Sequence, residues 1–186
     1  MIKTFLIRKV NKLEIRKKIL NQRKKNFFYN VDNSKICNFL KKYKKNKIGG
    51  YFPINYEFDC LEILKKLSNQ KFQISLPIMK KSNQMDFFSW DFNQPLIIND
   101  FGIPEPTSSK IIYPDIFLVP IVGFDKNLYR LGYGGGYYDR YIARIKKIKN
   151  VITIGLSFSF QKIDKLPINK FDQRLDAIIT ERNIFQ

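Results

Sequence analysis

Arg130-Leu-Gly-Tyr-Gly-Gly-Gly-Tyr-Tyr-Asp139 is the stretch from which the rest of the chain can be read. It holds Gly132, Gly134, Gly135 and Gly136, nearly half of the protein's nine glycines. Glycine has no Cβ, so the backbone there can take positive φ and come close to a ligand. Upstream runs the apolar stretch Ile116 to Val122; downstream, Tyr137, Tyr141, Ile145 and Ile148 recur at helical spacing. The glycines therefore fall between a buried strand and the start of a helix. Free backbone N–H groups and the positive end of a helix dipole converge at such a junction, which suits phosphate. No Lys-Ser or Lys-Thr follows the last glycine, so this is not a Walker A loop. Tyr137 stands where the dinucleotide fingerprint needs its third glycine. On the glycines alone, a tight turn without a ligand is an equal alternative. Arg130 entering the loop and Asp139 leaving it favour a nucleotide site, as a cation for phosphate and a carboxylate for a phosphate-bound metal.

Working outward, 186 residues make one ordinary domain, and 44% hydrophobic with 15% aromatic residues exclude a disordered chain. Cys37 and Cys60 belong to no pairing motif and read as free thiols of a reducing compartment. The sequence contains no histidine, so imidazole neither ligates zinc nor serves as acid or base. The N-terminus offers only Phe5-Leu6-Ile7 between cations, too little for a signal peptide. The longest apolar run is far below the ~20 residues of a membrane span. The expected address is the cytoplasm. Lys and Arg number 34 against 16 Asp and Glu, a net charge of +18. Such an excess suggests a polyanion partner, but Lys, Asn, Ile and Phe are abundant everywhere, so the charge carries little weight.

A first helix is expected over about Val10 to Lys25. At about 100° per residue, Leu13, Ile15, Ile19 and Leu20 define an apolar arc. Lys12, Arg16 and Arg23 fall inside that arc, whereas Lys17, Lys18, Lys24 and Lys25 fall outside it. Solvation accounts for the outer lysines. Inward cations need partners, and an anionic ligand is favoured over a buried ion pair. Ile36, Phe39, Leu40 and Tyr43 predict a second helix, and a strand follows at Ile48 to Phe52, closed by Pro53. Asn55 to Asp59 is expected to open a third helix with Leu61, Leu64 and Leu67 inward. There Glu57 is either a first-turn carboxylate complementing the dipole or a site residue. Further strands are expected at Phe72 to Leu76, closed by Pro77, at Val151 to Leu156 and, last, at Ala177 to Thr180. Phe87, Phe88 and Trp90 beside Met85 read as core. Glu105 stands between two prolines that stiffen its loop. This alternation predicts a single α/β domain over 1–186, three-layered, with an open, mostly parallel sheet and helices on both faces. Ligands in such sheets bind beyond the carboxyl ends of the strands, which is where the glycine loop lies.

Arg130 to Tyr141 resembles the signature of the 5-formyltetrahydrofolate cyclo-ligases (5,10-methenyltetrahydrofolate synthetases). Pro120 to Asp125, Gly102-Ile-Pro-Glu-Pro106 and Ala177-Ile-Ile-Thr-Glu181 agree with it, in register over nearly the whole chain. The resemblance implies ATP- and Mg2+-dependent cyclisation of 5-formyltetrahydrofolate, with or without a polyglutamate tail, to 5,10-methenyltetrahydrofolate, releasing ADP and phosphate. By that resemblance Lys12, Arg16, Arg130, Leu131, Gly132, Tyr133, Gly134, Gly135, Gly136, Tyr137 and Tyr138 contact ATP. Arg16, Phe52, Glu57, Phe101, Tyr133, Gly134, Gly135, Gly136 and Tyr137 border the folate, and Asp139 with Asp172 holds Mg2+ directly or through water. Phe171 departs from the family, whose members often carry histidine there. The expected protein is a monomer with no specific nucleic-acid partner and no membrane. Two rivals stand beside this reading. One is a basic RNA-binding protein, weakened by dispersed charge and by the lack of any RNA-binding signature. The other is a different phosphoryl-transfer enzyme built on the same loop.

Overall fold

Period-two alternation along the apolar strands sets the layers. In the computed structural model, which describes residues 11–26 and 32–186, Ile116 and Leu118 enter one buried cluster, and Phe117 and Val119 enter another. A strand buried on both faces in this way reads as an unbroken apolar run, and its sheet must be covered twice. The N-terminal run Phe5 to Ile7 and Val10, the expected helix start, lie outside the described residues.

In chain order the elements are α1 (Lys12–Lys25), α2 (Asn33–Lys41), β1 (Lys47–Gly49), α3 (Leu61–Ser68), β2 (Gln73–Lys80) and β3 (Gln84–Ser89). Then come β4 (Leu96–Ile98), β5 (Pro104–Pro106), β6 (Ile111–Ile112), β7 (Ile116–Pro120), β8 (Gly123–Phe124) and β9 (Arg130–Leu131). The chain closes with α4 (Tyr137–Ile145), β10 (Ile152–Leu156), β11 (Ala177–Ile179) and β12 (Ile184–Phe185). Eight strands form one sheet in the order β12-β11-β10-β7-β1-β2-β3-β6. The run from β11 to β2 is parallel; β12, β3 and β6 are antiparallel to their neighbours. Two hairpins, β4–β5 and β8–β9, stand apart from it. The expected open, mostly parallel α/β sheet is the one found.

Ile36 and Leu40 of α2 and Ile63, Leu64 and Leu67 of α3 pack on one face against Ile48, Ile74, Leu118 and Ile154. Tyr141, Ile142 and Ile145 of α4 cover the other face with Phe87, Phe117, Val119 and Ile178. Each such aliphatic side chain, taken fully out of water, contributes about 1.5–3 kcal/mol. Cys37 and Cys60 are buried free thiols in the first cluster. Helix α1 starts where the Asn11 side chain accepts the Leu13 N–H at 3.0 Å and lies over β8. Gly123 permits that approach, because a Cβ there would stand 2.7 Å from Cδ1 of Ile19.

Several local expectations are corrected. β2 continues through Pro77 instead of ending at it. The Ser75 carbonyl points to β1, accepting from Gly50 at 2.9 Å, and Pro77 points the same way. β1 has ended by then, so the missing proline N–H leaves no ladder bond unmade. β1 is shorter than expected, which leaves Phe52 in a loop. The third helix starts at Leu61, not at 55–59, since Asn55 and Tyr56 take positive φ of 48° and 60°. Glu57 is therefore not a first-turn residue. α4 ends at Ile145 and Ile148 is exposed. The hairpin β8–β9 separates β7 from the glycine loop, and β12 follows the strand expected to be last. Leu13 is 63% exposed: it sits roughly 80° round the helix from Arg23 at about 100° per residue. The buried stripe of α1 thus runs along its inward cations.

Candidate active site

The glycine loop needs its glycines for geometry. Gly134 has φ 108° and Gly136, the N-cap of α4, has φ 67°, both strained for an L side chain. No side chain caps the first N–H groups of α4, and its first residues line the cleft. Arg16 reaches across from α1: its Nε donates to the Gly132 carbonyl at 2.8 Å, and its guanidinium lies beside Gly134.

Arg130, delivered by β9, is almost fully buried. It pairs with Asp139 Oδ1 at 2.9 Å and donates to the Gln173 carbonyl at 3.2 Å. Burial lowers the proton affinity of this guanidinium, and the charge of Asp139 opposes that shift. Asp139 also accepts the Gln173 N–H on the same oxygen, at 2.9 Å. A second pair repeats the pattern. Lys12 Nζ donates to Asp172 Oδ2 at 2.6 Å, and that oxygen accepts the Asn169 N–H at 2.6 Å. Two of the three expected phosphate-binding cations, Lys12 and Arg130, are thus each paired with one of the carboxylates expected to hold metal, whereas Arg16 binds a backbone carbonyl. Lys17, Lys18, Lys24 and Lys25 are exposed, as expected for the outer face.

At the other end of the same cleft, Glu57 is 6% exposed and accepts the Ile54 N–H at 2.9 Å. Burial raises its carboxyl to about 7, against the Ile54 N–H, the charge of Arg23 and the Tyr133 hydroxyl, all of which lower it. Tyr133 is pushed up to about 12, first by burial and then by Glu57. Phe52, Ile54, Met79, Met85 and Ile103 make this end apolar. Phe101, exposed on the β4–β5 turn, stands edge-on to Tyr137 with ring centroids 6.3 Å apart.

The two ends are one cleft of about 980 Å3, and every residue singled out in the sequence for ATP, folate or metal lines it. Sequence reasoning missed others. Arg140 lines the cleft, donates to the Asn83 carbonyl at 2.9 Å and to the Gly135 carbonyl, and lies over the Tyr137 ring. It stands inside the quoted signature, where a cation on a helix reads as solvated. The buried Tyr138 hydroxyl has no hydrogen-bond partner among the described residues. Arg23, expected to meet an anion, instead donates to the carbonyls of Asn55 and Ile121 and to the Tyr133 hydroxyl. Phe171, the departure from the signature, is exposed at the rim with Lys170 over its ring.

Among the described residues no group of three or more His, Cys, Asp or Glu side chains is placed to hold a metal. Asp139 and Asp172 each use one oxygen in the contacts above, so the pair fits a cation that arrives with phosphates and water, the usual habit of Mg2+. Nor is any helix among the described residues long and apolar enough to cross a membrane.

Comparison with known proteins agrees with the signature. Residues 8–181 match the model of the 5-formyltetrahydrofolate cyclo-ligase family. A 5-formyltetrahydrofolate cyclo-ligase of Haemophilus influenzae is 30% identical over 149 residues, 76% of this chain and 79% of that one. One of Mycoplasma pneumoniae is 48% identical over 117 residues, 56% of this chain and 69% of that one. A solved 5,10-methenyltetrahydrofolate synthetase from Mycoplasma pneumoniae superposes with a TM-score of 0.72 at 28% identity, covering 92% of this chain and 99% of that one. That of Aquifex aeolicus gives 0.74 at 30% identity, covering 94% and 92%.

Proposed function

The chain belongs to the 5-formyltetrahydrofolate cyclo-ligase family, and on that premise we infer that it closes 5-formyltetrahydrofolate to 5,10-methenyltetrahydrofolate with ATP, releasing ADP and phosphate. One observation carries the reading: a phosphate-suited glycine loop with its cations and an apolar end with a buried carboxylate share a single cleft. Two substrates held in one space gain much of their rate from position.

A formamide oxygen is a poor leaving group. Its transfer to phosphate makes it a good one: the bond from the γ-phosphorus to ADP breaks as a bond to the formyl oxygen forms. The N10 lone pair then attacks the formyl carbon, the carbon–oxygen bond breaks, phosphate departs and N10 loses its proton. Nothing here needs a covalent enzyme intermediate or a histidine. The glycine-loop amides, Lys12 and Arg16 hold the phosphates and offset charge gathering on them. Lys12 turns from Asp172 toward phosphate when ATP enters. Arg130 stays on Asp139 and fixes that carboxylate. Asp139 and Asp172 hold Mg2+, which supplies charge neutralisation on the phosphates when bound. Glu57 accepts from the N–H edge of the pterin, with Phe52, Phe101, Tyr133 and Tyr137 around the ring.

We further propose that residues 1–186 act as one domain and as a monomer in the cytoplasm, taking 5-formyltetrahydrofolate with or without its glutamate tail. Two buried free thiols support the reducing compartment. The test is incubation with 5-formyltetrahydrofolate and Mg-ATP while following methenyl absorbance. Folded protein that gives no product would sink the reading.

A further inference from the structure

Arg23 is fully buried, yet it forms no ion pair among the described residues. An unpaired buried guanidinium is costly unless its donors are satisfied. Here they bind three separate segments of the chain, of which Tyr133 lines the cleft. Nε donates to the Asn55 carbonyl at 2.8 Å, one terminal nitrogen to the Ile121 carbonyl at 3.1 Å, and the other to the Tyr133 hydroxyl. The guanidinium carbon also stands 5.8 Å from the centre of the Tyr133 ring.

This arrangement has a direction. Arginine only donates, so the phenolic oxygen of Tyr133 is the acceptor and its own hydrogen is free to point onward. Glu57 sits in the turn that Arg23 grips through the Asn55 carbonyl. Its N–H donates to the Ile54 carbonyl at 2.9 Å and its carboxylate accepts the Ile54 N–H at 2.9 Å. The Ile54 N–H, the charge of Arg23 and the Tyr133 hydroxyl all favour its anion. The other titratable groups that bear on Glu57 are Tyr51, Cys60 and Tyr138, phenols and a thiol whose burial keeps them neutral. Among the described residues Arg23 is the cation whose charge bears on it.

We propose that Arg23 is a positioning residue for the folate: through the Asn55 carbonyl and the Tyr133 hydroxyl, it fixes the turn that presents the Glu57 carboxylate at the pterin end of the cleft. This rests on the cyclo-ligase reading, because Glu57 must face the ring for the relay to matter. The contacts of Arg23 touch none of Lys12, Arg16, Arg130, Asp139 or Asp172, so the Arg23 variants separate folate from ATP binding; Tyr133, itself in the glycine loop, is read by its folate-binding pH profile.

The experiment is calorimetric titration of 5-formyltetrahydrofolate, without ATP, into wild type, Tyr133→Phe, Arg23→Gln and Arg23→Lys at several pH values, with ATP titrated in parallel. Tyr133→Phe removes only one oxygen, so the idea stays testable should Arg23→Gln fold poorly. Folate affinity is expected to fall about tenfold in Tyr133→Phe and Arg23→Gln, about the loss of one charge-assisted hydrogen bond. The acid limb of the folate-binding profile should move up by about one pH unit, ATP affinity should stay within about twofold in Arg23→Gln, and Arg23→Lys should recover part of the loss. Folate and ATP weakening together in Arg23→Gln, or Tyr133→Phe binding folate with the wild-type pH profile, would overturn the proposal. Wild type that binds no folate would overturn the cyclo-ligase reading along with it; wild-type binding with unaltered variants would remove this proposal alone.

Discussion

Arg130 and Asp139 face each other across the glycine loop, guanidinium to carboxylate at 2.9 Å, with the Arg130 side chain 4% exposed. The residues that bracket the loop in sequence are thus clamped together in space, which fixes where the loop begins and where its helix starts. The contacts of Asp139 to Arg130 and to the Gln173 N–H use the same oxygen, and the residue lines the cleft.

Asp139→Asn should therefore show two losses of different kind. Leaving Arg130 buried without its counter-charge costs about 3 kcal/mol of stability, the low end for a buried pair that loses one partner. Turnover should fall at least about a hundredfold if the carboxylate also neutralises charge in the transition state. Thermal melts and turnover against Mg2+ concentration separate the two. A lower melting temperature with near-normal turnover would leave Asp139 a structural role only.

The inward and outward cations of α1 should behave differently. Lys12→Ala and Arg16→Ala are expected to weaken ATP binding by about tenfold or more, the scale of a charge-assisted contact. Lys17→Ala and Lys18→Ala, both on exposed positions, should change it less than about twofold. Equal losses from the two pairs, measured by ATP titration, would contradict the orientation assigned to the helix.

Glu57 makes stability depend on pH with a definite sign. Its folded carboxyl titrates at about 7 against an ordinary 4.5, so the folded state holds the proton more tightly. Its contribution is therefore fully present below the ordinary value, is lost as pH rises toward about 7, and stays lost above. Glu57→Gln, which never ionises, should exceed wild type by up to about 3 kcal/mol at pH 8 and by nothing near pH 4. Urea titration of both proteins at the two pH values measures this. An equal difference at both would show that Glu57 is not desolvated in solution. The same change should weaken folate binding, so stability and function oppose each other at this residue.

Much of this was legible in the chain, and the exceptions have physical causes. The β7 strand and the stripe of α4 announce themselves because burial on both faces, or on one helical face, leaves a period in the sequence. Two-residue strands such as β8, β9 and β12 carry no period, so the hairpin that delivers Arg130 and the antiparallel edge at Phe185 went unseen. The glycine loop was readable because its ligand chemistry is local. The partners of the inward cations were not. Lys12 meets Asp172 across 160 residues and Arg23 meets Tyr133 across 110, pairings that only the folded topology makes. Glu57 falls outside the helix its sequence suggests, since nothing in Asn55-Tyr56 reveals that both residues take positive φ.

The net charge of +18 should have little meaning for nucleic acid. Binding to RNA is expected to be weak, indifferent to sequence and lost steeply as salt rises. Filter binding over a salt series checks this. Tight, sequence-selective binding at physiological salt would revive the rival reading.

The account stands on one chemical claim, that ATP phosphorylates the formyl oxygen inside this cleft. Supplying 5-formyltetrahydrofolate labelled with 18O in the formyl group, with unlabelled Mg-ATP, tests it directly. The prediction is one labelled oxygen in each inorganic phosphate released, in step with the methenyl product. Methenyl product formed with unlabelled phosphate, or phosphate released without methenyl product, would contradict it.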